Sequence, residues 1–330
     1  MRPHTATQTQ PQVLLKQAQF VLGIDAGATK TAAAIGSTQK VYGTGKSGPG
    51  NLHTTKPDDI IKNIQAAIEQ AAHHVKSTGK LQFQSVVVGM AGIDSPYDQL
   101  KAERIVKKAL TPWLASRAQL EVCNDIHLVR RSGSDDPYGI AIIAGTGSHC
   151  FGLNHKGEMA HSGGLEMVLS DEGSGYDMGL KVLRSAIRSA DGRIKPTKLQ
   201  QAVLKQFKVA SVRSLEPIVY HGHGLDKSKV AKLAKLVDDL ATTDWRAKEI
   251  INETLEELVL MVSAVVQRLQ MKRMPFDVVV AGGIFEISSI PFLKRFVTKL
   301  KTVAPHATVI KPQRPPVWGA VRLANDRLTN

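Results

Sequence analysis

The stretch from Val122 to Tyr176 carries residues whose types and spacing suit one kind of reaction. It opens on an apolar run that ends in Asn124-Asp125, a pattern that reads as a strand delivering a carboxylate to its C-terminal end. The next apolar run, Gly139–Ala144, feeds directly into Gly145-Thr146-Gly147-Ser148, and a further short apolar segment, 150–153, follows. Glycines in such a turn let the backbone approach an anion closely, and the Thr and Ser hydroxyls add donors to the amides. A carboxylate able to take a proton from a hydroxyl, beside a turn able to cradle phosphate, is the equipment of phosphoryl transfer to an alcohol.

The same design occurs earlier. Residues 20–25 (FVLGID) form an apolar strand ending on Asp25, the turn Gly27-Ala28-Thr29-Lys30 follows, and 31–35 form a second strand. Asp25, beside phosphate-binding amides, is placed to hold Mg²⁺ directly or through water, since that ion needs few carboxylates besides phosphate oxygens. Two such hairpins predict a duplicated domain whose halves face each other across a cleft. A buried run at 277–280 ends in Gly282-Gly283, which fits close approach of a flat adenine or ribose, or a plain strand turn. Asp125 could simply cap the helix that starts near Ile126, but open α/β sheets bind ligands at that strand edge.

Positioning these residues requires alternating strands and helices. The pattern predicts strands at 20–25, 31–35, 41–44, 85–90 and 120–123, with helices from Pro57 and over 97–110. It then predicts strands at 139–144, 149–153, 159–162, 277–280 and 307–310, and helices at 176–190, 292–301 and 316–328. A helical region fills 197–271. The fold class is therefore α/β, with two such domains and a helical insertion in the second. The expected organisation is a disordered tail over 1–19, an N-terminal domain over 20–130, a C-terminal domain over 131–315 with its insertion at 191–271, and a closing helix over 316–330 that packs back near the N-terminal domain.

Composition narrows the function classes. The 330 residues are 42% hydrophobic and 22% charged, as in globular proteins. No apolar run reaches the ~20 residues of a spanning helix, so no membrane partner is expected. The net charge of +14 is spread along the chain without a basic block or interleaved aromatics, which argues for a solvated basic surface and against nucleic acid. Cys123 and Cys150 are the two cysteines, so no disulfide framework exists and a reducing, cytoplasmic setting is expected. GTGKSG (43–48) matches glycine-rich nucleotide motifs only superficially and reads as a turn: the first Walker A glycine would fall on Lys40, and Pro49-Gly50 stands where a helix should begin. His73-His74 and HGHG (221–224) lack a partner set with metal spacing and read as surface histidines.

Taken together, GIDAGATKT (23–31), SGPGN (47–51), CND (123–125), IAGTGS (143–148), Gly163-Gly164 with SDEGSGYDMG (170–179), AGG (281–283) and PVWGA (316–320) resemble the sugar-kinase/Hsp70/actin superfamily. Within it the chain is similar to the BadF/BadG/BcrA/BcrD ATPase family, which includes N-acetylglucosamine and glucosamine kinases. The resemblance implies two actin-like (ribonuclease H-like) domains that close over ATP and an amino sugar, with a homodimer as the expected assembly. It implies that Gly27, Ala28, Thr29 and Lys30 form the first phosphate loop, that Gly145, Thr146, Gly147 and Ser148 form the second, and that Gly282 and Gly283 belong to the adenosine site. Asp125 is then the general base for a sugar hydroxyl, O6. Asn51, Asn124, His149, Gly164 and Asp171 fall where relatives touch the hexose, with Ala91 and Leu165 nearby.

The sequence departs from the N-acetylglucosamine kinases where they carry GGWG, here Gly163-Gly164-Leu165-Glu166. An aromatic wall is lost, and Glu166 offers a partner for an ammonium, as the glucosamine kinases do with a polar or acidic residue there. Which amino sugar is preferred stays open at this stage. A second branch, ATP-driven activators of 2-hydroxyacyl-CoA dehydratases, shares a cluster between subunits through motifs in which neither cysteine falls. The cysteine-rich zinc motif of ROK sugar kinases is absent as well. A catalytically silent ATP or sugar sensor would need neither Asp25 nor Asp125, and no helix-turn-helix marks a transcription factor.

Overall fold

The structure is a computed structural model that describes residues 20–37, 40–75, 80–221 and 224–329. The expected tail over 1–19 and His223 of the HGHG run lie outside the described residues. Two compact units emerge: described residues up to Cys123 with those from Ala320 on, and Asn124–Gly319.

In the first unit, β1 (Val21–Ala26), β2 (Thr31–Gly36), β3 (Val41–Ser47), α1 (Pro57–His73), β4 (Phe83–Met90), α2 (Pro96–Leu110) and β5 (Leu114–Asn124) follow in order. The sheet runs β3-β2-β1-β4-β5. β1 pairs antiparallel with β2 and parallel with β4, which takes up both its edges, and its residues are buried on both faces, as its almost wholly apolar sequence requires. α1 begins with Pro57 at its first position and Asp58 and Asp59 in its first turn, which suit the positive end of the helix dipole. Its buried stripe is Ile60, Ile64, Ala67, Ile68 and Ala71.

GTGKSG corrects the reading of those residues as a turn. Residues 43–47 lie within β3, and a Cβ on Gly43 or Gly45 would come within 2.1 Å of Ala71 O or 2.0 Å of Ala67 O. Those glycines let α1 pack directly on the strand backbone.

The second unit contains α3 (Ile126–Gly133), β6 (Gly139–Ala144), β7 (Ser148–Leu153), β8 (Met159–Gly163), α4 (Glu166–Leu169) and α5 (Gly175–Ala190). Four short helices follow, α6 (Lys198–Phe207), α7 (Glu216–Tyr220), α8 (Lys227–Ala231) and α9 (Ala234–Leu240). Next come α10 (Trp245–Arg268), β9 (Phe276–Ala281), α11 (Phe292–Val303), β10 (Ala307–Ile310) and α12 (Pro316–Thr329), whose residues from Ala320 on belong to the first unit.

The second sheet runs β10-β9-β6-β7-β8, with β6–β7–β8 antiparallel and β6–β9–β10 parallel. The two sheets thus repeat one strand order, an antiparallel three-stranded meander extended by two further strands. α10 carries the longest apolar stripe, which buries Ile251, Leu255, Leu258, Val262 and Val265 in the second core. Asp244 caps it through the amides of Arg246 and Ala247 and also accepts from the Thr197 hydroxyl and the Lys198 amide, tying together the starts of α6 and α10. Among the described residues no helix is long and apolar enough to cross a membrane.

The C-terminal part of α12 lies against β1. A Cβ on Gly23 would stand 2.5 Å from Val321 N and 2.9 Å from the Ala320 carbonyl carbon, and the Ser85 hydroxyl donates to Ala324 O at 2.7 Å. Gly23→Ala forces backbone against backbone and is expected to lower unfolding stability by about 1–3 kcal/mol, read from urea titration.

Candidate active site

In the first unit the ends of β1 and β4 and the loop after β3 are stitched by backbone bonds. The Gly27 amide donates to Lys30 O at 2.9 Å and closes the β1–β2 turn, which leaves Ala28, Thr29 and Lys30 exposed. Gly27 O accepts from Gly50 N, Ala26 O from Ala91 N, and Ala91 O from Leu52 N, at 2.9–3.0 Å. Gly50 must be glycine, because a Cβ there would lie 2.7 Å from Ala26 Cβ and 2.8 Å from the Thr31 hydroxyl. These bonds gather Asp25, the Gly27–Lys30 turn, Asn51 and Ala91. Buried Asn51 accepts from the amides of His53 (2.8 Å) and Thr54 (3.0 Å), so its carbonyl oxygen organises the loop while its amide remains a donor. Asp25 stands half-buried in the last turn of the β1 ladder, opposite Ala32 and Gly89.

The second unit builds its hairpin by the same rule. The Gly145 amide closes the turn onto Gly147 O at 2.9 Å. Gly145 O and Thr146 O accept from the Gly175 and Tyr176 amides of α5, at 2.7 and 3.1 Å. The loop carbonyls are thereby turned toward the helix, and among the described residues the Thr146 and Gly147 amides have no hydrogen-bond partner. Ser148 differs from its three neighbours in the turn: its amide donates to Asp171 Oδ1 at 3.0 Å and its hydroxyl to Glu172 O at 2.7 Å. Both its donors serve the protein, so its part in the loop is to fix the turn.

A cavity of about 840 Å³ opens beside this hairpin, lined by Gly145, Thr146, Gly175, Ser228, Lys232, Gly283, Ile284 and Ile287 among others. That size matches a small-molecule site. Gly282 has φ +101°, and a Cβ there would lie 2.3 Å from Ala144 O, whereas a Cβ on Gly283 meets nothing within 4 Å. The first glycine serves backbone packing and the second keeps the cavity wall open.

Asp125 follows β5 and occupies the N-cap position of α3, yet its side chain makes no capping bond. Asn124 does that work, its Oδ1 accepting from the Ile126 amide at 3.1 Å. The bland reading of Asp125 as a helix cap therefore fails.

Gly164, Leu165 and Asp171 lie in a loop folded back on the hairpin. The Gly164 amide donates to Ser148 O at 3.0 Å, and a Cβ on Gly164 would strike the His149 ring at 2.6 Å. Leu165 is half-exposed, its amide donating to the Ser170 hydroxyl at 2.8 Å. Asp171 is buried at φ +77° and pairs with Lys227 at 2.7 Å. His149 shares a 3.0 Å hydrogen bond with His161, and His127 stacks on Phe151 with 4.0 Å between ring centroids. Burial, reinforced by repulsion from His161, lowers the pKa of His149 to about 4. Burial, followed by repulsion from His161, Arg130 and His149, lowers that of His127 to about 3. Both rings are neutral near pH 7.

His161, His127 and Lys227 were not among the sequence candidates. His161 was within reach of the β7–β8 register, which places it opposite Phe151. Lys227 had no local signal, since its partners are distant in sequence. Both cysteines are buried, and burial pushes the Cys150 thiol up.

The twin sheets and their glycine hairpins define an α/β fold of the actin-like sugar-kinase kind. The chain belongs to the BadF/BadG/BcrA/BcrD ATPase family, whose model matches residues 22–324. Relatives over nearly the full length are phosphotransferases. An N-acetylmuramic acid/N-acetylglucosamine kinase of Clostridium acetobutylicum is 31% identical over 93% of this chain and 98% of its own. An N-acetyl-D-glucosamine kinase of Dictyostelium discoideum is 27% identical over 93% of this chain and 98% of its own. The structure of a proposed N-acetylglucosamine kinase from Chromobacterium violaceum shares the fold with a TM-score of 0.69 at 19% identity, covering 94% of this chain and all of that one.

The depressed histidines make stability depend on pH. The folded values of His127 and His149 lie below the unfolded value near 6.5, so above that pH neither group contributes a pH dependence. As pH falls from about 6.5 toward 4 the unfolded chain gains protons that the folded rings refuse, and stability is lost. His127→Phe keeps the stacking and removes one titration. The stability lost between pH 7 and pH 5 in urea unfolding is expected to shrink by about 1–2 kcal/mol relative to wild type.

Proposed function

We propose that this protein is an amino-sugar kinase that transfers the γ-phosphate of Mg-ATP to the 6-hydroxyl of N-acetylglucosamine or glucosamine. The observation that carries the reading is the second hairpin, where Gly145 and Thr146 line a nucleotide-sized cavity walled by Gly283 and the Thr146 amide has no hydrogen-bond partner among the described residues. Amides fixed in advance of the reaction stabilise phosphate charge without reorganising as it develops. The names of full-length relatives supply the acceptor class.

In this reading the nucleotide base and ribose fill the cavity, and the Gly145–Ser148 loop and the Gly27–Lys30 loop each serve as a phosphate loop. Asp25 would hold Mg²⁺, and the residues fit that ion: a hard carboxylate at a strand end, followed by a turn with exposed amides. When bound, the metal neutralises charge on the phosphate oxygens. Asn51, Asn124, His149, Gly164 and Asp171 position the sugar, with Leu165 and Ala91 beside it. Neutral His149 can donate or accept at the sugar without adding charge. Asp125 accepts the proton of the acceptor hydroxyl as the new O–P bond forms and the bond from the γ-phosphorus to the bridging oxygen breaks, releasing ADP, a role that suits a carboxylate that Asn124 relieves of helix capping.

The test is ADP release with Mg-ATP across glucosamine, N-acetylglucosamine, N-acetylmannosamine, N-acetylmuramic acid and glucose. Turnover is expected on an amino sugar and is expected to fall at least about 10²–10⁴-fold in Asp125→Ala, with nucleotide affinity retained. A fully active Asp125→Ala enzyme would remove the general base from the scheme. Gly283→Leu, which projects a side chain into the cavity, is expected to raise KM for ATP by about tenfold or more while leaving the unfolding midpoint in place. An unchanged KM would place the nucleotide elsewhere.

A further inference from the structure

An exposed acid at Glu166 reads, from sequence, as a counter-ion for a substrate ammonium. The structure gives that acid another partner. Lys227 Nζ lies 2.6 Å from Glu166 Oε2 and 2.7 Å from Asp171 Oδ2. Both carboxylates are held in left-handed backbone, with φ of +63° at Glu166 and +77° at Asp171. Two such residues in one loop mark a conformation sustained by its contacts. The same ammonium stands at the second hairpin, 3.2 Å from the place a Cβ on Gly147 would take. Burial alone would draw the pKa of Lys227 down, but hydrogen bonds and charge from Asp171 and Glu166 outweigh it and hold it above the ordinary lysine value. The lysine is therefore a permanent cation.

From this arrangement we infer that Lys227 is a specificity-determining residue. It fills, with the protein's own ammonium, the position between Glu166 and Asp171 that a substrate ammonium would take, so the acceptor is the neutral, N-acylated amino sugar and not the free amine. This rests on the amino-sugar kinase reading and deepens it by choosing the chemical form of the acceptor. A protonated amine entering here would have to displace Lys227 from two ion pairs already made, or stand beside a second ammonium with only one carboxylate charge left unanswered. An acetamido group brings no charge, and its N–H can donate to a lone pair that Lys227 leaves unused. Removing the lysine would leave two carboxylates without a cation, an arrangement that attracts an amine.

The experiment compares kcat/KM for N-acetylglucosamine and glucosamine in wild type, Lys227→Met, Lys227→Arg and the double variant Lys227→Met with Glu166→Gln. Wild type is expected to favour the N-acetyl sugar by about tenfold or more, and Lys227→Met to move the ratio toward glucosamine by at least about tenfold, mainly through KM for glucosamine. Lys227→Arg keeps the wild-type preference, and adding Glu166→Gln to Lys227→Met reverses most of the gain. Glu166→Gln alone leaves Lys227 paired with Asp171 and is expected to keep the wild-type preference for the N-acetyl sugar. A wild-type preference for glucosamine overturns the inference. So does an unchanged ratio in Lys227→Met, an equal loss on both sugars with a raised KM for ATP, or a selective loss of glucosamine use in Glu166→Gln. Absence of turnover on every amino sugar by wild type overturns the kinase reading itself, whereas turnover with a ratio indifferent to Lys227 overturns only this one.

Discussion

Much of the second unit's chemistry depends on one buried carboxylate. Asp171 accepts from the Ser148 amide and pairs with Lys227, and a Cβ on Gly147 would lie 2.6 Å from its Oδ1. It thereby joins the hairpin, the loop from Gly163 to Gly173 and the segment that begins α8. Burying an unpaired carboxylate is costly, so the cation is as much a structural requirement as a functional one. The consequence reaches the hairpin. With the Ser148 amide committed to Asp171, the loop amides without a partner among the described residues are those of Thr146 and Gly147, while the α5 amides hold the carbonyls of Gly145 and Thr146.

The two sheets repeat a strand order but not an environment. In each hairpin the first glycine amide closes the turn, onto Lys30 O in one and onto Gly147 O in the other. The first turn is exposed, while the second borders a cavity walled by α8, α9 and the residues after β9. The helices between α5 and β9 therefore give the second hairpin an adjoining chamber. Close packing makes this possible: a Cβ on Gly179 of α5 would lie 2.0 Å from Val230 O, so α5 and α8 touch along their backbones.

How much of this was legible depended on range. The strand at 139–144 was readable because burial on both faces demands an unbroken apolar run. Both glycine turns were readable because a turn is local. The β3 glycines were misread, because what they accommodate is the backbone of α1 at Ala67 and Ala71, which no local pattern announces. β5 starts at Leu114, earlier than the apolar run at 120–123 suggested, because its first residues are half-buried or exposed and carry polar side chains. Glu166 was visible as an acid, but its meaning was not. Its charge is answered by Lys227, sixty-one positions on.

Backbone strain also concentrates around Asp171. Of the five described non-glycine residues with positive φ, Glu166 and Asp171 share this loop, and Gly163, Gly164 and Gly173 adopt positive φ there too. Each non-glycine residue so held costs about 1–3 kcal/mol. The offsetting contacts are specific: Gly164 N to Ser148 O, Leu165 N to the Ser170 hydroxyl, Gly173 N to Asp177, and the lysine to both acids. Met167, Val168 and Leu169 meanwhile remain largely exposed, so little apolar burial anchors the loop. Its shape is therefore set by polar contacts and by one cation. A loop of that kind responds to a change of charge at Lys227 more than to a change of volume, which is why its selectivity and its conformation are controlled by the same residue.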